Sequence, residues 1–132
     1  MSLLDLETRV YSRINNKIKS KLKSKYPELT VVNTDKKPDV AKYPLVYVHE
    51  LESQEIGNDL ENTTINGVLS SFQIFVYSNS SQDVTKEVMN EVCMIMKSMR
   101  YSIVGMPFNN NSDGIYQRVA RFRRPVGDGD TL

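Results

Sequence analysis

Apolar residues recur at helical spacing over the first quarter of the chain. Leu3, Leu6, Val10, Ile14, Ile18 and Leu22 are three or four apart, which puts them on one face and predicts an amphipathic helix over 3–25. Ser2 and Asp5 have the spacing of a capping box, and Pro27 forces the preceding Tyr26 out of helical geometry. A second helical stripe, Val84, Val88, Val92, Ile95 and Met99, widened by Met89 and Met96, predicts a helix within 78–99, with Ser80 and Asp83 at capping-box spacing. The methionines are read as core filler.

Between and after these stripes the period changes to two. "LTVVN" (29–33) and "PLVYVHEL" (44–51) read as strands, the latter rich in β-branched and aromatic residues. "VLSSFQIFVYS" (68–78) is the longest candidate. Val68, Ser70, Phe72, Ile74 and Val76 share one face, and Leu69, Ser71, Gln73, Phe75 and Tyr77 share the other. "RYSIVGMPF" (100–108) and "IYQRVARFRR" (115–124) complete the set, separated by the turn-forming "NNNSDG" (109–114). The acidic, Gly/Asn-punctuated stretch 52–67 reads as a long loop, and the flanking strands as the antiparallel sides of a hairpin arm. The expected fold class is α+β: two helices on a mostly antiparallel, mixed sheet of about four to five strands. Pro125 ends the last strand, residues 1–125 form the expected domain, and 126–132 are a flexible tail.

Composition narrows the functional classes. The 132 residues suit one domain, and the apolar fraction of 39% is modest, consistent with burial completed in an oligomer. Net charge is only +1, so no global attraction to nucleic acid or membrane is expected. The charge is segregated. Residues 1–43 carry ten basic and five acidic side chains (+5), 44–99 carry two and eight (−6), and 100–132 carry five and three (+2). Such polarity favours self-association over uniform polyanion binding. The lysines at 17, 19, 21, 23 and 25 alternate around the first helix instead of forming a stripe, and read as a solvated face. Cys93 is the single cysteine, so no internal disulfide forms; it reads as a buried, unactivated thiol. No apolar run approaches the ~20 residues that span a bilayer, the start lacks a signal-peptide layout, and a cytosolic product is expected.

Catalytic chemistry leaves little trace. His49 is the only histidine, and its strand neighbours Glu50 and Glu52 point to the opposite face, which disfavours a shared metal. "VGDGD" (126–130) lacks the length and closing Glu of a calcium loop. Phosphate-loop, dinucleotide and nucleophile-elbow signatures are missing too. We therefore expect no enzyme, no cofactor and no metal. What stands out is Arg118, Arg121, Arg123 and Arg124, split by strand alternation into Arg118/Arg124 on one face and Arg121/Arg123 on the other. Three readings remain open. The arginines could dock on the acidic stretch of a neighbouring copy, through Glu50, Glu52, Glu55, Asp59 and Glu61. They could protect an edge strand. They could bind phosphates, with Tyr116 and Phe122 as stacking rings.

"YPLVYVHEL", then "NGVLSSFQIFVYSN", a helix opening "SSQDVTKEV", and "RYSIVGMPFNNNSDGIYQRVARFRR" together resemble the tail terminator (tail completion) proteins of long-tailed bacteriophages, over roughly residues 1–125. Gln117 departs from the Tyr-Arg pair of that pattern. The head–tail connector or stopper proteins of the phage neck share this size and style. The resemblance implies a hexameric ring in the virion tail, assembled in the host cytoplasm. It would cap the head-proximal end of the tail tube, stop its polymerisation and present the surface for head attachment. Its implied partners are further copies of itself, the tail tube protein, a head-completion or neck protein and a sheath protein, with DNA only passing through and no membrane. It also implies that loop 52–67 serves as an inter-subunit arm or tube contact, and strand 115–124 as a sheet edge and interface.

Overall fold

The computed structural model describes residues 5–33, 42–52, 54–58, 65–111, 114–127, 130 and 132; for 54–58, 65 and 66 it describes the backbone alone. Helix α1 spans Leu6–Leu22 and helix α2 Gln82–Ser98. The strands are β1 (Thr30–Val32), β2 (Leu45–Glu50), β3 (Gln54–Asn58), β4 (Ile65–Ser78), β5 (Ser102–Ile103), β6 (Phe108–Asn109) and β7 (Tyr116–Gly127). They form one mixed sheet of order β1-β2-β4-β7-β5, with β3 also on β4 and β6 also on β7. β1 runs parallel to β2, and the remaining pairs are antiparallel. The α+β expectation holds, with a higher strand count because β3 and the two-residue β6 add to the expected set.

Both helices cover the same face of this sheet. The α1 stripe Leu6, Val10, Ile14, Ile18, Leu22 is fully inward. From α2, Val88, Met89, Val92, Ile95 and Met96 are buried, the methionines filling core as expected. The sheet contributes paired rows, Val46 opposite Val76, Val48 opposite Ile74, Ile74 opposite Ala120 and Phe72 opposite Phe122. All of these except Leu6 form one apolar cluster, while Leu6 packs in a second, smaller one with Val68 and Val126. Burying a large side chain there is worth about 1.5–3 kcal/mol, so this face fixes the register of β2, β4 and β7.

Both helices start differently from expectation. Asp5 is itself the N-cap of α1 and makes no side-chain cap bond. In α2 the cap is Ser81, whose Oγ accepts from the Val84 amide at 3.4 Å, because Ser80 is engaged with the Ser78 hydroxyl at 3.0 Å. Leu3 and Ser2 lie outside the described residues. The exposed lysine ladder ties the helices together: Lys25 Nζ donates to both Glu87 oxygens at 2.9 Å, and Lys21 sits 3.5 Å from Glu91.

Two segments change character. The stretch 52–67 is partly stranded, since β3 pairs with the start of β4, Glu55 opposite Val68 and Ile56 opposite Gly67. β2 and β3 thus succeed each other along the same edge of β4, and the antiparallel hairpin is longer than the sequence suggests. Pro125 does not end β7, which continues to Gly127 opposite Gly67. β5 pairs with β7 only at Phe122 and Arg123, so the missing proline N–H falls where that edge has no ladder partner. Beyond it, Asp130 accepts from the Gly127 amide at 2.7 Å, and Leu132 packs against the core. Those described tail residues are docked.

Candidate interaction surfaces

The long strand β7 carries the arginines and sets where each points. Alternation places Ala120, Phe122, Arg124 and Val126 inward, all buried, and Arg121 and Arg123 outward, both exposed. The expected split between two faces is present. Arg118, half-buried, donates through Nη1 to Asn109 Oδ1 at 2.7 Å and so ties β7 to β6. Arg124 is only 5% exposed, with Nη2 3.7 Å from Asp130. Its surroundings are internal: Tyr101 and Ser70 share a buried 2.8 Å hydroxyl contact, and the positive charge of Arg124 helps offset the upward push of burial on the Tyr101 phenol. Arg124 is therefore withdrawn from the surface on which the sequence placed it. Phe122, considered as a stacking ring, is 1% exposed and part of the core.

The acidic residues gather elsewhere. Glu50 ends β2 on the helix-covered side, opposite Phe72, half-buried. Burial first, then the negative charges of Glu7 and Asp5, hold its carboxyl above the ordinary carboxylate range. Glu52, just beyond β2, is exposed. Glu55 has a defined register in β3, whereas Asp59 and Glu61 lie outside the described residues. Asp5 and Glu7, distant in sequence, thus act on Glu50 through their charge. His49 faces the side opposite Glu50, in register with Gln73. Among the described residues, no group of three or more His, Cys, Asp or Glu is placed to hold a metal. Cys93 is half-buried, its thiol pushed up by burial and partly countered by Lys97 and Arg118.

Sequence reasoning did not single out the sheet face that carries no helix. Register places Tyr47, Phe75, Val119 and Phe108 in one row across β2, β4, β7 and β6. The next row is His49, Gln73 and Arg121. Tyr47 and Phe75 rings lie 5.8 Å apart, and Phe75 and Tyr77 6.2 Å apart. The signal was present in β4: its second face carries Leu69, Phe75 and Tyr77, more apolar than a water-facing side requires. No helix among the described residues is long and apolar enough to cross a membrane. The chain matches no protein-family model and no curated protein.

Proposed function

We propose that the chain is a structural tail protein of a long-tailed bacteriophage or related particle: a tail terminator that closes the head-proximal end of the tail tube as a hexameric ring. The observation that carries the reading is the segregation of charge onto different surfaces of one small α+β body. Exposed Arg121 and Arg123 lie on the open sheet face, and half-buried Glu50, within the field of Glu7 and Asp5, lies on the helix side. Opposite charges on different patches of identical subunits suit head-to-tail contacts, which form a ring where the rotation between copies closes. The hairpin built from β2, β3 and β4 supplies an arm for a neighbouring subunit or the tube, and the sequence motifs quoted above point to the same family. In this role the chain is not an enzyme; it acts by occupying the tube end and presenting a surface to the neck, with DNA passing through the ring.

Light scattering of polymerising tail-tube protein tests this. Added substoichiometrically, the chain should arrest elongation, with its mass recovered on tube ends. Unchanged elongation, with the chain left monomeric in the supernatant, would reject the role. The related reading as a head–tail connector predicts binding to the head-completion protein with no effect on tube growth.

A further inference from the structure

The helix-free sheet face has more apolar surface than one small domain needs to leave in water. Tyr47, Phe75 and Tyr77 stand on it, only partly covered by one another. Along the β5–β6 segment beside β7, Phe108 is 53% exposed and Met106 81%. Val104, Met106 and Phe108 are three of the four large apolar residues exposed among those described, and all three fall in the segment through β5 and β6. Val119, between Phe75 and Phe108 in the row, is 2% exposed, so partly exposed rings lie on one side of it and exposed Phe108 on the other; exposed apolar surface of this kind marks an interaction site. Aromatic and arginine side chains are also what interface centres are enriched in.

The rings themselves decide which class of partner fits. Readers of single-stranded nucleic acid offer free ring faces to bases. Here Phe75 and Tyr77 lie within 15° of parallel to each other, and Tyr47 stands edge-on to His49 at 82°. These aromatics are engaged with one another, which favours a protein surface laid over them. The charges then decide its geometry. The described outward positions of β2, β4 and β7 carry Arg121 and Arg123 and no acidic residue. A two-fold, face-to-face dimer would set these arginines against their own copies. The complementary acids of the chain, Asp5, Glu7, Glu50 and Glu52, stand at the start of α1 and the end of β2, with Glu50 on the helix-covered side.

We propose that the open sheet face of one copy receives the acidic α1–β2 end of a second copy, Arg121 and Arg123 meeting Glu7, Glu50 and Glu52 around an apolar centre formed by Tyr47, Phe75 and Phe108. The contact is heterologous, so repetition leads to a ring or an open helix. This deepens the ring reading and rests on its head-to-tail geometry.

A charge swap tests the contact in the full-length chain. Arg121→Glu with Arg123→Glu makes both patches acidic; Glu7→Lys with Glu52→Lys makes both basic. Sedimentation velocity over a concentration and salt series should show wild-type self-association and its loss, about tenfold or more in association constant, in either variant alone. Mixing the two variants should restore it, because each copy then finds an opposite charge on the other. If either reversal unfolds the chain, as read by circular dichroism, the Arg→Gln and Glu→Gln pairs replace it and should each weaken association.

A wild type that stays monomeric throughout, variants that associate like wild type, or a mixture that fails to recover would overturn the proposal. So would salt-sensitive binding of a fluorescent oligo-dT strand that Phe75→Ser abolishes, which would give the face to nucleic acid. Normal self-association without arrest of tube growth would reject the terminator role and leave this contact standing.

Discussion

Removing one hydroxyl, Tyr101→Phe, should destabilise the fold measurably. Tyr101 is 2% exposed and Ser70 0%, and their hydroxyls meet at 2.8 Å. The Tyr101 ring also packs edge-on against Phe72, with centroids 5.8 Å apart. The substitution keeps that packing and strands the Ser70 hydroxyl in a site closed to water. A buried polar group left unsatisfied costs about 1–3 kcal/mol. At a midpoint of about 2 kcal/mol, and with roughly 3–4 °C per kcal/mol for a chain of this length, Tm falls by about 7 °C. Ser70→Ala should cost a similar amount by stranding the phenol. The double variant removes both partners, so it should recover much of the loss, giving a coupling energy of about 1–2 kcal/mol. Urea unfolding of the four proteins, with equal m-values as the check on two-state behaviour, measures this. A Tyr101→Phe protein within about 0.5 kcal/mol of wild type, or singles whose costs simply add, would refute the reasoning.

The remaining predictions concern the charges. Arg124→Ala should cost about 2–3 kcal/mol by urea unfolding, since it empties a buried site, whereas Arg121→Ala and Arg123→Ala should stay within about 0.5 kcal/mol. Equal effects at all three positions would contradict the two-faced strand. Glu50→Gln should raise Tm at pH 7. Its carboxyl titrates higher in the folded state, so wild-type stability falls as pH rises through the window above the ordinary carboxylate value, and the advantage of Gln should vanish below about pH 4. Glu87 behaves in the opposite sense. Hydrogen bonds from Lys25 and Tyr26 hold its carboxyl below the ordinary value, so its contribution is present above that value and lost as pH falls further. Glu87→Gln should therefore lower stability at pH 7 and converge with wild type in acid or in high salt; a difference that persists in 1 M salt would point to packing instead.

The helices were legible because an apolar residue every fourth position, from Leu6 to Leu22, leaves one solution for burial. The α2 cap lies one residue beyond Ser80 because neighbouring serines compete, and the sequence does not say that Ser78 captures Ser80. β3 was hidden because "QEIGN" has neither alternation nor β-propensity; backbone pairing with β4 makes it a strand. β5 shrank from a nine-residue expectation because Tyr101 turns into the core and Gly105 adopts a φ of 73°. Pro125 looked like a stop because a missing donor matters only where a partner strand needs it, and strand order is not written locally. For the candidate surfaces, alternation separated the arginines onto two faces but did not say which face the helices cover. Alternation alone therefore does not show that Arg124 points inward, or that Tyr47 and Phe75 share a row on the helix-free face.

Cryo-electron microscopy of tail tubes assembled with the chain tests the terminator role most directly. The ring reading predicts six copies closing one end of each tube and none along its length, with tube lengths fixed at the moment of capping. Open tube ends of continually growing tubes, with the chain bound along the wall or remaining in solution, would contradict it.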